Sequence, residues 1–214
     1  VGFFKPHLPF NAPKKYWDLY DPAVFALKAQ TRVKGAPELA YHTHRELGGY
    51  KDMPEDEHVS AEQARTLRHG YYACVSYVDA QVGKVLDTLQ RLGLDQNTIV
   101  VLWGDHGSSL VEKDRWCKGT NFDRDARAPM MIRAPGVTKP GTATEGLIEY
   151  VDVYPTLAEL AGLTPPDPLT GYQQPVVERS GSAALQSAGG ATSAATTCSA
   201  ASFCHRINVQ QSYF

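Results

Sequence analysis

The sequence lacks the features that mark several large classes of protein. Its four cysteines, Cys74, Cys117, Cys198 and Cys204, have no C-x-x-C spacing, so they indicate neither a zinc knuckle nor a disulfide framework. No apolar run approaches the roughly 20 residues that cross a bilayer. Lys and Arg number 21 and Asp and Glu 23, and the formal charge of −2 excludes a general attraction to nucleic acid or anionic membranes. Any anionic ligand must therefore be held by local charges.

The start of the chain also lacks the pattern of a signal peptide. The opening VGFFKPHLPF has no charged segment followed by an apolar one. The chain begins with Val1 rather than Met, and a motif falls within its first ten residues. We therefore expect it to have been cut from a longer protein. Composition alone does not indicate the cellular compartment.

Three stretches carry the periodicity of regular structure. Ser60 and Gln63 predict a capping box, and apolar residues at helical spacing as far as Gly93 predict a long amphipathic helix. Residues 99–103 (IVVLW) and 129–133 (PMMIR) are short apolar runs, which predict strands buried on both faces.

A further helix is predicted near residue 152. Its markers are a cap, a first-turn proline and apolar residues at helical spacing: Asp152, Pro155, Leu157, Leu160 and Leu163. The order of helices and strands indicates an α/β fold, in which a layered sheet is flanked by helices. Residues 1 to about 60 are rich in proline, histidine and charge, which predicts an irregular excursion.

The last part of the chain differs in composition. After about Gly171, the stretch SGSAALQSAGGATSAATTCSAAS consists almost entirely of small residues without a period. We predict one domain over residues 1–170 and a disordered tail over 171–214. The alternative is that the tail is not native and comes from a frameshift or a truncated gene.

Polar residues directly follow the first predicted strand. Ligands of open α/β sheets bind beyond the carboxyl ends of the strands, which is where Asp105 and His106 stand. Gly104 and Gly107 permit a tight turn there, and Asp105 offers a carboxylate oxygen suited to Ca²⁺ or Mg²⁺. An ordinary turn, with the aspartate as its cap residue, is the alternative.

Two further residues suit an oxyanion. Lys118 is a compact cationic donor for sulfate or phosphate, although a solvated surface lysine fits the sequence as well. His7 stands between prolines that stiffen the backbone, and its imidazole can protonate a leaving alcohol or bind an oxyanion. A histidine with a structural hydrogen bond in a loop is the alternative.

Four segments together resemble the sulfatase family of the alkaline-phosphatase-like superfamily. They are GFFKPHLPF, YYACVSYVDAQVGKVLDTLQRLGLDQNTIVVLWGDHG, WCKGTNFDRDARAPMMIRAPG and EYVDVYPTLAELAGL, and they span residues 1 to about 165. Each is unspecific alone, but the four in this order are highly specific. The KPHLPF opening and the histidine after Asp105 resemble the iduronate-2-sulfatase branch.

The resemblance implies an alkaline-phosphatase-like site with Ca²⁺ and a formylglycine. On this pattern Asp105 is a Ca²⁺ ligand, with His106 as the next ligand or its neighbour. Lys118 holds the sulfate, and His7 contacts the sulfate or the leaving oxygen. The implied substrate is a sulfated carbohydrate such as a 2-sulfated uronic acid, and the implied compartment is periplasmic, secreted or lysosomal. Oligomeric state is not implied.

Two parts of the family pattern are missing from the sequence. No C-x-P-x-R occurs, so no cysteine is assigned as the formylglycine, and no paired aspartates precede the KPHLPF segment. We therefore expect residues 1–170 to be the later portion of a catalytic domain, incomplete and inactive alone. The alternatives are a phosphodiesterase or phosphonate-ester hydrolase of the same superfamily, and a scaffold without catalytic activity.

Overall fold

The structure is a computed structural model of the chain. It describes residues 1–25, 32–41, 46–56, 58–113, 115–144 and 146–164, and the backbone of 208–210. The tail predicted over 171–214 therefore lies outside the described residues except for that short segment. The chain divides into two compact units: Val1–Gly93 with Ser108–Asp125, and Leu94–Gly107 with Ala126–Phe214.

The first unit is built on the predicted long helix, α2, which spans Ala61–Arg91. The predicted capping box is confirmed: the Ser60 hydroxyl accepts from the Gln63 amide at 3.2 Å, and the Gln63 side chain accepts from the Ser60 amide at 2.9 Å. Two otherwise unpaired donors at the helix start are thus satisfied. The buried residues of this helix are small and lie in its first half: Ala64, Gly70, Ala73 and Cys74.

Short helical turns form the regular structure in the described part of the first 60 residues. Helix α1 spans Lys14–Trp17, and 3₁₀ turns span Pro22–Phe25 and Glu38–Tyr41. A Cβ built at Gly70 would lie 2.8 Å from the Trp17 ring. Glycine at this position therefore lets α1 approach the long helix closely.

A small ribbon and a hydrophobic cluster complete the first unit. Strand β2 (Ser109–Leu110) pairs antiparallel with β3 (Trp116–Cys117). The cluster joins this ribbon to the amino-terminal segment and to the long helix. Its buried members are Leu8, Phe10, Leu47, Ala64, Cys74, Leu110, Trp116 and Cys117.

A buried polar network holds the segment after the ribbon. Asp125, in helix α3 (Asp123–Ala126), is 3% exposed and accepts hydrogen bonds from the Ser109 hydroxyl at 2.6 Å and the Thr120 hydroxyl at 2.5 Å. The guanidinium of Arg115 lies 3.6 Å from the same carboxylate and donates to the Ala40 carbonyl at 2.6 Å. Because a buried carboxylate needs partners, this network fixes Ser109, Arg115 and Thr120 around Asp125.

The second unit contains a four-stranded sheet. Its strands are β1 (Val100–Trp103), β4 (Pro129–Arg133), β5 (Ala143–Thr144) and β6 (Asn208–Gln210). Their order across the sheet is β1-β4-β6-β5. The pairing of β1 with β4 is antiparallel, and that of β4 with β6 is parallel. Strands occur at both predicted places, and the predicted α/β class is confirmed.

The prediction that the two strands are buried on both faces is wrong. Met130 and Ile132 are 0% and 3% exposed, but the alternate residues of β4 are exposed or half-buried, and Trp103 at the end of β1 is 51% exposed. Among the described residues, the face that carries Met130 and Ile132 packs against the apolar side chains of Ile148 and Val153. A continuous apolar run does not distinguish a sheet with one covered face from a sheet with two.

The last predicted helix is present as α4, Val153–Leu160, with Pro155 in its first turn as expected. Asp152 precedes it, but its side chain accepts from the Glu149 amide at 2.9 Å instead of capping α4. Leu163 lies beyond the end of the helix. None of the helices in the described ranges has the length and apolar character that crossing a membrane requires.

The Cys74 thiol should be protected in the folded chain. Cys74 is fully buried, and burial raises the pKa of its thiol more than nearby Lys5 lowers it. Only the thiolate reacts, so alkylation by iodoacetamide at pH 8.5 should be at least about tenfold slower than in urea. Peptide mapping by mass spectrometry gives the two rates, and equal rates would contradict the burial.

The raised pKa of the Cys74 thiol also makes the stability of the folded chain depend on pH. The neutral thiol stabilises the folded state at pH values below the ordinary pKa of cysteine. This stabilisation is lost as the pH rises through the raised pKa.

Removal of the central carboxylate of the buried network should destabilise the first unit. Asp125→Ala leaves the Arg115 guanidinium, 1% exposed, without its acidic partner. The expected loss in free energy of unfolding is about 3–5 kcal/mol, measured by urea denaturation. The control Asp123→Ala changes an exposed carboxylate in the same helix and should cost less than about 1 kcal/mol. Equal midpoints for the two variants would show that the network contributes little.

Candidate functional site

Three polar side chains converge in the first unit. The Lys118 ammonium donates to both carboxylate oxygens of Glu46, at 2.6 and 2.9 Å, and lies 3.3 Å from the His7 Nε2 atom. The same His7 nitrogen is 3.0 Å from Glu46 Oε1. The side chains are 29%, 23% and 33% exposed for Lys118, Glu46 and His7, so a ligand can reach them from solvent.

The orientation of the His7 ring follows from a backbone contact. Its Nδ1 atom lies 2.8 Å from the Leu8 carbonyl oxygen, which can only accept, so Nδ1 carries a proton. In the neutral ring Nε2 is then the acceptor, facing Lys118. In the charged ring Nε2 becomes a donor directed at Glu46 or at a bound oxyanion. The imidazole is therefore oriented to exchange a proton at Nε2.

Each member of this triad is adjacent in sequence to a buried apolar residue of one hydrophobic cluster. Leu8 follows His7, Leu47 follows Glu46, and Cys117 precedes Lys118, and these three apolar residues are 4%, 0% and 8% exposed. Burial of the neighbours fixes the backbone from which each polar side chain extends. The core thus positions three groups that are far apart in the sequence.

The backbone around Lys118 has an unusual conformation. Cys117 has φ +62° and Gly119 has φ +104°, so the lysine stands between two residues in the left-handed region. For a non-glycine residue such a conformation costs of the order of 1–3 kcal/mol and is commonly found at functional sites. The strain at Cys117 is consistent with a fixed position for the lysine.

Contacts between its own residues also stabilise the amino-terminal loop that carries His7. The Lys5 ammonium donates to the carbonyl of His7 at 3.3 Å and to that of Pro9. The ring of Phe4 lies against the His7 ring, with centroids 4.7 Å apart. These contacts restrict the loop that carries the imidazole.

Asp105 and His106 belong to the second unit. The Asp105 side chain is 88% exposed, and its Oδ2 atom lies 3.7 Å from His106 Nε2. His106 Nδ1 lies 2.6 Å from the Gly107 carbonyl oxygen. The Tyr150 hydroxyl donates to the Gly104 carbonyl, and both burial and the charge of Asp105 raise the pKa of this tyrosine. The hydrogen bond from Tyr150 therefore stabilises the backbone just before Asp105.

The fit of these residues to Ca²⁺ is incomplete. Asp105 offers an accessible carboxylate, as a hard cation requires, but Ca²⁺ takes about six to eight oxygen ligands and an imidazole is a poor donor for it. Among the residues that the structure describes, no three His, Cys, Asp or Glu side chains form a group that could hold a metal. The described part of the chain does not form a Ca²⁺ site by itself.

The structure thus brings the predicted pair His7 and Lys118 into contact across 111 positions of sequence. The sequence reasoning missed Glu46, the residue that both of them contact. It is one of several acidic residues in the polar stretch GAPELAYHTHRELGGYKDMPEDEH. A leucine follows Glu46, but a leucine follows Glu38 as well, so no local signal singles out Glu46 before the core is known.

Comparison with known proteins gives consistent results. Residues 1–163 match the model of the family described as Sulfatase. The chain is 36% identical over 203 residues to iduronate 2-sulfatase from Mus musculus, covering 78% of this chain and 36% of that protein. It is 36% identical over 167 residues to choline-sulfatase from Rhizobium meliloti (strain 1021), covering 77% and 31% respectively.

A solved structure shows the same relationship in three dimensions. The phosphonate monoester hydrolase SpPMH from Silicibacter pomeroyi matches with a TM-score of 0.64 and 29% identity, over 79% of this chain and 34% of that one. The chain spans about a third of the length of the relatives that it matches. Because the family model covers most of the chain and the motifs occur in the family's order, the chain belongs to the sulfatase family.

Proposed function

We propose that the protein to which this chain belongs is a sulfuric ester hydrolase. The observation that carries the proposal is the contact between Lys118 and His7, a cation beside a histidine with an oriented proton-exchanging nitrogen. Membership of the sulfatase family supports this chemistry.

The triad residues have roles that follow from their charges. A sulfate monoester carries negative charge on its outer oxygens, and the Lys118 ammonium can neutralise it as the ester bond breaks. When His7 is protonated, its Nε2 can give a proton to the leaving alcohol oxygen, which would otherwise depart as an alkoxide. The Nδ1 bond to the Leu8 carbonyl keeps the ring oriented for this transfer.

The metal and the nucleophile remain proposals from the family resemblance. Asp105 is the proposed Ca²⁺ ligand, supported by its accessible carboxylate, and His106 is the proposed neighbouring ligand. A bound cation would supply charge stabilisation for the sulfate oxygens. A formylglycine, which requires a C-x-P-x-R segment that this sequence does not contain, is the proposed nucleophile.

The proposed substrates are sulfated carbohydrates, such as those with 2-sulfated uronic acids. The KPHLPF segment and the 36% identity to an iduronate 2-sulfatase support this class. Hydrolysis of a phosphonate monoester is a second candidate, supported by the structural match to SpPMH. Parallel assays on an aryl sulfate and an aryl phosphonate monoester distinguish the two.

Replacing Lys118 should reduce hydrolysis strongly. In the complete gene product that contains this chain, Lys118→Met removes the ammonium but keeps most of the side-chain volume. We expect kcat/KM for 4-methylumbelliferyl sulfate to fall by about 100-fold or more, as for the loss of one donor to a developing oxyanion. Fluorescence of the released alcohol measures the rate.

The matched control is Lys51→Met, which removes an exposed lysine from the same unit and should leave kcat/KM within about twofold. If Lys118→Met hydrolyses the sulfate as fast as the control, the proposed role of the lysine is wrong. If the unaltered protein cleaves only the phosphonate ester, the second candidate replaces the first.

A further inference from the structure

We propose that Glu46 is an internal anion that occupies the oxyanion-binding position of Lys118 and His7, and that the substrate's sulfate must displace it. This inference rests on the proposed function and adds a residue to the same site. It starts from the position of the Glu46 carboxylate, which lies within hydrogen-bond distance of both groups that the sulfate would use.

The ammonium of Lys118 already has an anionic partner within the chain. An ammonium group has three N–H donors and no acceptor. Three acceptors surround it: the two Glu46 oxygens, at 2.6 and 2.9 Å, and His7 Nε2 at 3.3 Å. The Glu46 carboxylate therefore takes the position at the ammonium that a sulfate oxygen would use.

The two ring nitrogens of His7 also face groups of the chain itself. Nδ1 donates to the Leu8 carbonyl, and Nε2 faces both Lys118 and Glu46. The positive charge of Lys118 and the negative charge of Glu46 cancel within the triad. A sulfate ester therefore gains the uncompensated charge of the ammonium only when the carboxylate turns away.

The surroundings of Glu46 favour rotation of its side chain over movement of its backbone. The next residue, Leu47, is fully buried in the hydrophobic cluster. A Cβ added at Gly48 would lie 2.8 Å from the Glu55 carbonyl oxygen, so the backbone is closely packed there. The Glu46 side chain itself is 23% exposed and has solvent on one side, into which the carboxylate can turn.

The test is a titration with inorganic sulfate as the probe, made on this chain and followed by the NMR signals of the His7 ring. Sodium chloride at equal ionic strength corrects for screening. Glu46→Ala removes the competing group entirely, and Glu46→Gln removes its charge but keeps an oxygen acceptor. We expect sulfate to bind at least about tenfold more tightly to Glu46→Ala than to the unaltered chain, with Glu46→Gln between them.

The control is Glu38→Gln, which removes the charge of a carboxylate that is 88% exposed and paired with Arg32 at 2.9 Å. It should leave the sulfate affinity unchanged. The double variant Glu46→Ala/Lys118→Met should lose the gained affinity, which places the bound sulfate at the lysine. Signal dispersion in the same spectra reports whether each variant is folded.

The outcomes separate this inference from the proposed function. If both Glu46 variants bind sulfate no more tightly than the unaltered chain, while Lys118→Met binds it more weakly, the carboxylate does not compete and only this inference is overturned. If no variant binds sulfate and Lys118→Met has no effect, the anion site itself is wrong and both proposals fall.

Discussion

The contact of Lys118 with Glu46 and His7 is the interaction on which the functional reading of this chain depends. It joins three segments, of which the most distant are 111 residues apart, and it places a cation, a carboxylate and an imidazole within 3.3 Å of one another. Charged groups attract only weakly when they are flexible and solvated. The cluster is therefore suited to binding an anion because its geometry is fixed, and not because its charges attract each other strongly.

That geometry has an apolar origin. Leu8, Leu47 and Cys117 belong to one buried cluster and each is bonded through the backbone to a member of the triad. The same core stabilises the left-handed backbone at Cys117, which would be unfavourable in an isolated loop. The network around Asp125 then holds the chain that follows Lys118. Burial of the apolar side chains thus stabilises the backbone around the site, and hydrogen bonds set the orientation of the polar side chains.

Sequence reasoning succeeded where structure follows from local periodicity. The capping box at Ser60 and the apolar spacing behind it define α2, and the short apolar runs mark β1 and β4. It was wrong about the burial of these strands, because exposure depends on which other elements cover each face. Trp103 shows the limit clearly, since an apolar residue in an apolar run is half exposed.

Part of the candidate site was also predicted from the sequence. His7 and Lys118 were found from residue type and family resemblance, and their contact required the fold. Glu46 was missed because its role comes from two partners that are distant in sequence, and no local pattern distinguishes it from Glu38 or Glu55. Asp105 was predicted as a Ca²⁺ ligand from its place after a strand and from the family resemblance, but one carboxylate does not define a Ca²⁺ site.

The most direct measurement is a crystal structure of the complete gene product containing this chain, with sulfate bound. We expect sulfate oxygens within about 3.2 Å of both Lys118 Nζ and His7 Nε2, with the Glu46 carboxylate turned away from the lysine. A structure in which Lys118 and His7 lie apart, or in which sulfate binds elsewhere while Glu46 keeps the lysine, would contradict it.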